Sequence, residues 1–296
     1  MIYVLVGPTG SGKSSVAEAF AQRLNLPIVN GDAFQVYREF DIGTAKPSQD
    51  IRSKIPHYLF DFVSPENDYD VKTYQTDLRS TIAFMEAKHQ DFILVGGTGL
   101  YIRAGLYDYD FAEEAPVDVS DLEQLSDAEL HERLCAIDPV DAQKIHPNNR
   151  KRVLRALAIY RSRGMNKTEL LALQEHRCLF EAVFVGIDLP RELLYARIDE
   201  RVEKMFSQGL VEETRNLIQK YDPKRHAFQG IGYKELLEHF AGQMTLDEAK
   251  VKIKQDSRNY AKRQMTFFRH QLPVEWAHSQ EETLDLLLKK AGQRHG

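Results

Sequence analysis

The sequence predicts an α/β fold with a parallel sheet, and three observations predict it. Apolar runs of strand length alternate with segments of helical spacing; the runs cover residues 2–6, 26–30, 92–96 and 180–188. A glycine-rich turn directly follows the first run. Residues 111–177 carry helical patterns. We therefore expect a sheet domain flanked by helices and formed by residues 1–110 and 178–296, with a small all-helical insert domain at 111–177.

Composition and charge narrow the class of protein. The chain has 296 residues and a formal net charge of −5, which argues against a uniformly basic nucleic-acid binder. Its two cysteines, Cys135 and Cys178, have neither CxxC nor metal-like spacing, which indicates a reduced intracellular setting. No apolar run reaches the length of a membrane span. The glycine-rich turn begins at Gly7, which is too early for a cleavable signal peptide to precede it. We expect a cytoplasmic protein without membrane contact and, since nothing demands an oligomer, a monomer.

The glycine-rich turn has the residues and the setting of a phosphate-binding loop. It lies between a strand and a helix and consists of Gly7, Pro8, Thr9, Gly10, Ser11, Gly12, Lys13 and Ser14. Glycines allow backbone N–H groups to face an anion at the positive end of the following helix. Lys13 adds a mobile cation, and the Ser14 hydroxyl can bind Mg²⁺. The motif predicts a P-loop NTPase-like fold that binds a di- or triphosphate, but it does not specify the reaction.

Asp32 is the first candidate for a chemical role. It follows the strand at 26–30, at the carboxyl edge where ligands of parallel α/β sheets bind. The alternative interpretation is an N-cap for a following helix. By contrast, the strand at 92–96 is followed by Gly97 and Thr98, where many NTPases carry an Asp that holds Mg²⁺. This absence argues against a motor ATPase or a GTPase and leaves room for a transferase.

The rest of the chain is mainly helical. We expect a strand-like segment at 57–63 and helices at 71–89, 100–107, 127–135, 153–163, 191–220, 250–269 and from residue 281. Two of these regions are basic. Lys144 to Arg163 contains seven Lys or Arg residues and no acid, and 250–269 contains seven with the single acid Asp256. Such segments bind nucleic-acid phosphates in some proteins and are solvated helix faces in others, and the sequence leaves both interpretations open.

Several longer strings resemble the tRNA dimethylallyltransferase family, also called tRNA isopentenyltransferases. Besides the phosphate loop and Asp32, the matching strings are DIGTAKP at 41–47, LVGGTGLYIRA at 94–104, Asp138-Pro139, IHPNNRKRVLRAL at 145–157, RELLYARIDERVEKMFSQGLVEE at 191–213, QGIGYKE at 229–235 and RNYAKRQMTFFR at 258–269. They occur in the family's order and span about residues 2–276.

This resemblance implies an activity and its partners. Members of the family transfer a dimethylallyl group from dimethylallyl diphosphate to the exocyclic N6 amine of the adenine that adjoins the tRNA anticodon on its 3′ side. Diphosphate is released. The implied partners are therefore dimethylallyl diphosphate and the anticodon stem-loop of tRNA. The loop at 7–14 would hold the diphosphate, with the cofactor Mg²⁺ bound at Ser14.

The resemblance also implies roles for individual residues. The implied catalytic residues are Asp32 as general base, Thr98 beside the target nucleotide and Arg201 on the diphosphate. The implied tRNA contacts come from Asp32, Ala33, Phe34, Gln35, Thr98, Lys151, Arg152, Val153, Leu154, Arg155, Gln229, Gly230, Ile231, Gly232, Tyr233 and Lys234.

The sequence departs from the family pattern in two places, and two other functions stay open. Between Arg103 and Arg133 there is no Lys or Arg, whereas the family carries a longer segment with an arginine there. No residue of this chain is therefore assigned to the tRNA contact that the family makes with that segment. Asn149 stands where the family has an aspartate. One alternative function is a small-molecule or nucleoside kinase, which shares the loop and the sheet but consumes ATP. The other is a non-catalytic RNA-binding protein with a regulatory nucleotide loop.

Overall fold

The computed structural model describes residues 1–109, 117–173 and 176–293. The chain divides into two compact units. We call them the sheet unit, formed by Met1–Leu106 with Cys178–Gly296, and the helical unit, formed by Tyr107–Arg177. The expected boundary between residues 110 and 111 lies outside the described residues.

The sheet unit is built on one parallel sheet. Its strands within the described residues are β1 (Ile2–Val6), β2 (Ile28–Asn30), β3 (His57–Tyr58), β4 (Phe92–Gly96), β5 (Ala182–Ile187) and β6 (Glu275–Ala277). Their order is β3-β2-β4-β1-β5-β6, and every neighbouring pair is parallel. Every residue of β1 is buried between β4 and β5, which explains its continuous apolar sequence. The predicted fold class is confirmed, while the short β6 is not foreseen by the sequence.

Helices fill the connections between these strands. In the first part they are α1 (Lys13–Leu24), α2 (Gln49–Lys54), α3 (Val71–Ala87) and α4 (Gly99–Leu106). The helical unit contains α5 (Ser120–Glu123), α6 (Asp127–Ile137), α7 (Pro139–Ala142), α8 (Arg150–Arg163) and α9 (Lys167–Ala172). The second part of the sheet unit adds α10 (Arg191–Ser207), α11 (Leu210–Lys220), a 3₁₀ turn (His226–Gln229), α12 (Tyr233–Phe240), α13 (Leu246–Gln271) and α14 (Gln280–Gly292). Among the described residues, no helix is both long and apolar enough to cross a membrane.

The core fixes the start of α1 next to β1. Phe20 of α1 packs edge-on against Tyr3 of β1, with ring centroids 5.0 Å apart. Leu287 and Ala291 of α14 join the same buried cluster. The loop between β1 and α1 is therefore held at both ends by buried elements, so its backbone can keep a defined shape.

Two sequence-based expectations about elements are wrong. The single helix expected at 191–220 is two helices, because Gly209 adopts a left-handed backbone conformation (φ 99°) that starts α11. The strand expected at 57–63 stops after Tyr58, because Leu59 and Asp61 both have positive φ. The Asp61 carboxylate is held by Lys46 and Arg52, at 2.8 and 2.9 Å, which stabilises this turn.

Candidate active site

The carboxyl ends of β1, β2 and β4 bring three predicted segments to one edge of the sheet. The phosphate loop follows β1, Asp32 follows β2, and Thr98 follows β4. A cavity of about 300 Å³ opens there, lined by residues that include Lys13, Asp32 and Arg201. A cavity of this size lies within the range of small-ligand sites.

The backbone of the phosphate loop has the shape that an anion site needs. Gly10 and Gly12 have left-handed conformations, with φ of 80° and 89°, and Gly12 caps the N-terminus of α1. A Cβ atom on Gly10 would lie 2.8 Å from the Ile198 side chain, so space also favours glycine there. The Lys13 ammonium donates a hydrogen bond to the Pro8 carbonyl at 2.7 Å and lines the cavity.

Two cations and one carboxylate interact in this cavity. Burial, reinforced by the charge of Arg201, lowers the pKa of Lys13 to about 7, while Asp32 acts in the opposite direction. Burial also lowers the pKa of Arg201, and Asp32 again opposes the shift. The structure thus brings Lys13, Arg201 and Asp32 within electrostatic reach of one another. An anion bound between the two cations offsets both the burial cost and the repulsion.

Asp32 is held by local hydrogen bonds and does not cap a helix. Its N–H donates to the buried Asn30 Oδ1 at 2.8 Å, and its Oδ1 accepts from the Phe34 N–H at 2.9 Å. The next helix, α2, is capped by Ser48 instead. The carboxylate is therefore fixed through one oxygen, and its Oδ2 is directed towards Gly97 at the end of β4.

The turn after β4 completes this side of the cavity. Thr98 Oγ1 accepts a hydrogen bond from the Ala33 N–H at 3.0 Å, which joins the ends of β2 and β4. A Cβ atom on Gly96 would overlap the backbone of Gly31, so this approach requires glycine. Burial raises the pKa of the nearby Tyr260 to about 12, and the side chains of Thr98 and Gln264 oppose this shift.

Gln264 of α13 lines the cavity, although no sequence motif indicates a role for it. Its Oε1 accepts from the Thr9 N–H at 2.8 Å, and its Nε2 donates to the Gly97 carbonyl at 2.9 Å. The side chain is 5% exposed. One amide therefore connects the phosphate loop to the β4 turn. In the sequence, Gln264 lies on the same helical stripe as Ala261 and Phe268, which are buried. This position indicates a buried amide, and a buried amide needs hydrogen-bond partners.

Glu213 of α11 supports the loop at 41–47 from below the cavity wall formed by Gly43 and Thr44. Its carboxylate accepts hydrogen bonds from the Ile42 and Gly43 N–H groups, at 2.9 and 3.3 Å. It also accepts from the Tyr233 hydroxyl at 2.6 Å. Tyr233 is 1% exposed, so its side chain supports the loop at 41–47 from within the core. No local pattern around Glu213 reveals this role.

The other predicted tRNA-contacting residues of the sheet unit lie near Asp32 or on the cavity wall. Phe34 is half-buried, and the Gln35 amide donates to the Thr44 carbonyl at 3.0 Å. Lys234 forms ion pairs with Glu235 and Asp256. Cavity-lining members of the group are Asp32, Phe34, Gln35, Gln229, Gly230, Ile231, Tyr233 and Lys234. Gly232 has a φ of 104° and precedes α12.

The helical unit carries the predicted residues 151–155 on α8. Lys151, Arg152 and Arg155 are exposed. Val153 is fully buried and Leu154 packs against the same core cluster, so these two side chains stabilise the helical unit. This part of the helix thus presents three cations to solvent and two apolar residues to the core of the helical unit.

No protein-built metal centre is present in the described ranges. They contain no cluster of three or more His, Cys, Asp or Glu side chains arranged to hold a metal ion. Ser14 is exposed and lines the cavity next to Lys13. A hydroxyl in this position suits a hard cation that takes its remaining ligands from a bound phosphate ester and water, as Mg²⁺ commonly does.

Comparisons with known proteins assign the family. A family model described as IPP transferase matches residues 35–271. The tRNA dimethylallyltransferase of Anoxybacillus flavithermus is 45% identical over 285 residues, which cover 96% of this chain and 92% of that protein. The chain belongs to the IPP transferase family. The tRNA dimethylallyltransferase of Bacillus subtilis is 40% identical over 295 residues, covering 98% of this chain and 94% of that protein.

Solved structures agree with this membership of the IPP transferase family. The tRNA delta(2)-isopentenylpyrophosphate transferase of Staphylococcus epidermidis superposes with a TM-score of 0.74 at 34% identity, covering 99% of both chains. A eukaryotic dimethylallyltransferase acting on tRNA gives a TM-score of 0.81 at 27% identity, covering 99% of this chain and 77% of its own. The fold and the family are therefore shared over nearly the whole chain.

Proposed function

We propose that this protein is a cytoplasmic tRNA dimethylallyltransferase. It transfers the dimethylallyl group of dimethylallyl diphosphate to the N6 amine of the adenine 3′-adjacent to the anticodon and releases diphosphate. The observation that most supports this reaction is that one cavity presents both an anion cradle and a carboxylate, since Lys13, Arg201 and Asp32 all line it. An alkyl transfer from a diphosphate to an amine needs both groups.

The leaving diphosphate is held by the phosphate loop and two cations. As the bond between C1 of the dimethylallyl group and oxygen breaks, its electron pair leaves with the diphosphate. Backbone N–H groups at the start of α1, the Lys13 ammonium and the Arg201 guanidinium stabilise the growing charge. Dimethylallyl diphosphate between these cations also offsets the repulsion that contributes to the lowered pKa of Lys13.

Asp32 acts as the general base. The lone pair of an adenine amine is delocalised into the ring, so the amine attacks only if its proton is removed as the new bond forms. N6 bonds to C1, and the proton passes to the Asp32 carboxylate, whose Oδ1 keeps the hydrogen bond from Phe34 N–H. Thr98 keeps the neighbouring backbone at Ala33 in place.

Mg²⁺ fits the donor set of this cavity together with the substrate. The Ser14 hydroxyl would bind it, and the diphosphate and water would supply the remaining oxygen ligands. When bound, Mg²⁺ neutralises part of the charge on the leaving diphosphate.

The target adenine must leave its stack to reach Asp32. Residues 32–35 and Thr98 are proposed to contact the everted nucleotide. The segments 229–234 and 151–155 are proposed to contact the rest of the anticodon stem-loop. Exposed Lys and Arg side chains in the second segment suit the RNA backbone.

The direct test is incubation with dimethylallyl diphosphate, Mg²⁺ and an anticodon stem-loop. Mass spectrometry of the digested RNA should show one added five-carbon unit on the target adenosine. ATP in place of the allylic diphosphate should give no product. ATP consumption without RNA modification would favour the kinase alternative and overturn the proposal.

Substitution of Asp32 tests the general base. Asp32→Asn should lower kcat for transfer by roughly 100-fold or more, since the amide cannot accept the N6 proton. RNA affinity, measured by gel shift, should survive, because the Phe34 N–H keeps an oxygen partner. Asp285→Asn on the exposed face of α14 is the matched control. Equal activity of the two variants would remove Asp32 from the mechanism.

Substitution of Lys13 tests the anion cradle. Lys13→Ala should lose most affinity for dimethylallyl diphosphate, because a cation that lines the cavity is removed. Calorimetric titration with the diphosphate measures the loss directly. Lys289→Ala, which removes an exposed cation from α14, should bind like the unmodified protein. Unchanged affinity of Lys13→Ala would contradict the cradle.

A further inference from the structure

Phe34 and His226 form a stacked aromatic pair beside the candidate active site. Their ring centroids are 5.6 Å apart and their planes differ by 9°. Phe34 comes from the loop after β2, whereas His226 starts the 3₁₀ turn before α12. We call this pair the aromatic platform. Neither the phosphate cradle nor the proposed proton transfer uses its ring faces.

The aromatic platform is held from several sides. The Tyr37 hydroxyl lies 3.1 Å from His226 Nδ1, which fixes the orientation of the imidazole. The backbone of Gly230 packs against Phe34, where an added Cβ would lie 3.3 Å from the ring. Phe228, in the same turn as His226, is fully buried against Phe40, with centroids 5.1 Å apart. Such support gives a flat surface of fixed direction.

The aromatic platform is also close to the carboxylate that the proposed reaction uses. Phe34 N–H donates to Asp32 Oδ1 at 2.9 Å, and Phe34 lines the same cavity as Asp32. His226 is exposed to solvent, whereas Phe34 is half-buried beneath it. The aromatic platform therefore joins a ring that lines the cavity to an imidazole that is exposed to solvent.

We propose that the aromatic platform is a stacking site for an unpaired nucleobase that adjoins the target adenine. This inference rests on the proposed function. When the adenine is everted, the bases on either side of it lose a stacking partner. A planar His ring backed by a parallel Phe ring replaces that partner, as aromatic side chains do for single-stranded RNA. Because every base has a flat face, the site favours an exposed base without specifying which base it is.

The test pairs a change in the protein with the removal of one base from the RNA. His226→Ala and Phe34→Leu should each raise KM for the intact stem-loop by roughly 10-fold, with KM for dimethylallyl diphosphate unchanged. His226→Phe keeps a flat ring and should restore most of the affinity. His270→Ala, an exposed histidine of α13, is the matched control and should change neither constant.

Two abasic stem-loops then identify the contact. Each lacks the base on one side of the target adenine. With the stem-loop that lacks the stacked base, His226→Ala and the unmodified protein should have the same KM. The abasic RNA already lacks the stacking contact that the substitution removes. An unchanged penalty with both abasic substrates would overturn the platform. So would a KM of His226→Ala on intact RNA equal to that of the control.

Failure of the platform and failure of the proposed function give different results. If the unmodified protein does not modify the intact stem-loop, the function itself is wrong. If it modifies the stem-loop, but His226→Ala raises KM by the same factor whether or not either neighbouring base is present, only the platform is wrong.

Discussion

Helices α8 and α13 look alike in sequence and differ in how their cations are paired. Each basic region contains seven Lys or Arg residues. In the α13 region, five of the seven are in ion pairs: Lys250 and Lys254 with Glu203, Lys252 with Glu238, Arg258 with Asp199, and Arg269 with Asp188. On α8, Arg150 pairs with Asp127 and Arg161 with Asp121, whereas Lys151 and Arg152 are exposed and have no acidic partner among the residues described by the structure. Lys262 and Arg263 are the corresponding exposed cations of α13.

The difference shows that charge counted along a segment is not charge available to a ligand. Glu203 and Asp199 come from α10, which is distant in sequence from α13 and packed against it. The inward face of α13 contributes to the site through Gln264 and Tyr260. We infer that α8 serves the RNA backbone, whereas α13 serves the cavity.

The largest expected effect is at Gln264, on the inward face of α13. Gln264→Leu leaves the Thr9 N–H and the Gly97 carbonyl without their partner, at a cost of about 1–3 kcal/mol for the buried carbonyl and less for the half-buried N–H. It also frees the phosphate loop from the β4 turn, and a displacement of about 1 Å can reduce the rate by roughly 100-fold. We expect kcat/KM to fall by about that factor and the melting temperature to fall as well.

Gln255→Leu on the exposed side of α13 is the matched control for this change. Its kcat/KM should remain close to that of the unmodified protein. The assays are run below the melting temperatures of both variants, so that loss of fold is not mistaken for loss of alignment. Similar kinetics for the two variants would show that the inward face of α13 has no role in the cavity.

The second effect concerns the exposed cations of α8. Lys151→Ala combined with Arg152→Ala should weaken binding to the stem-loop by roughly 10-fold, if each cation meets one phosphate. The slope of log affinity against log salt should become shallower by about 2. Filter binding at several salt concentrations measures both values. An unchanged slope would mean that α8 is a solvated helix face.

The same contrast explains what the sequence can predict. The order of strands and helices, the phosphate loop and the position of Asp32 follow from local patterns, and the structure has these elements. Glu213 and Gln264 act on segments at least 167 residues away, and such pairings cannot be read from spacing. The break at Gly209 depends on one backbone angle, which helical periodicity does not reveal.

The smallest effect should come from the paired cations of α13. Lys250→Ala combined with Lys254→Ala removes as much positive charge as the α8 double variant. Here, however, both side chains pair with Glu203, at 3.0 and 2.5 Å, so one carboxylate already engages both ammonium groups and offsets half of their charge. We expect an RNA affinity within about 2-fold of the unmodified protein and an unchanged salt slope. The melting temperature should change little, because exposed ion pairs are weak and screened by salt.

A loss of affinity as strong as that of the α8 variant would contradict this expectation. RNA binding would then depend on total charge rather than on how the charges are paired, and the division of roles between the two helices would be wrong.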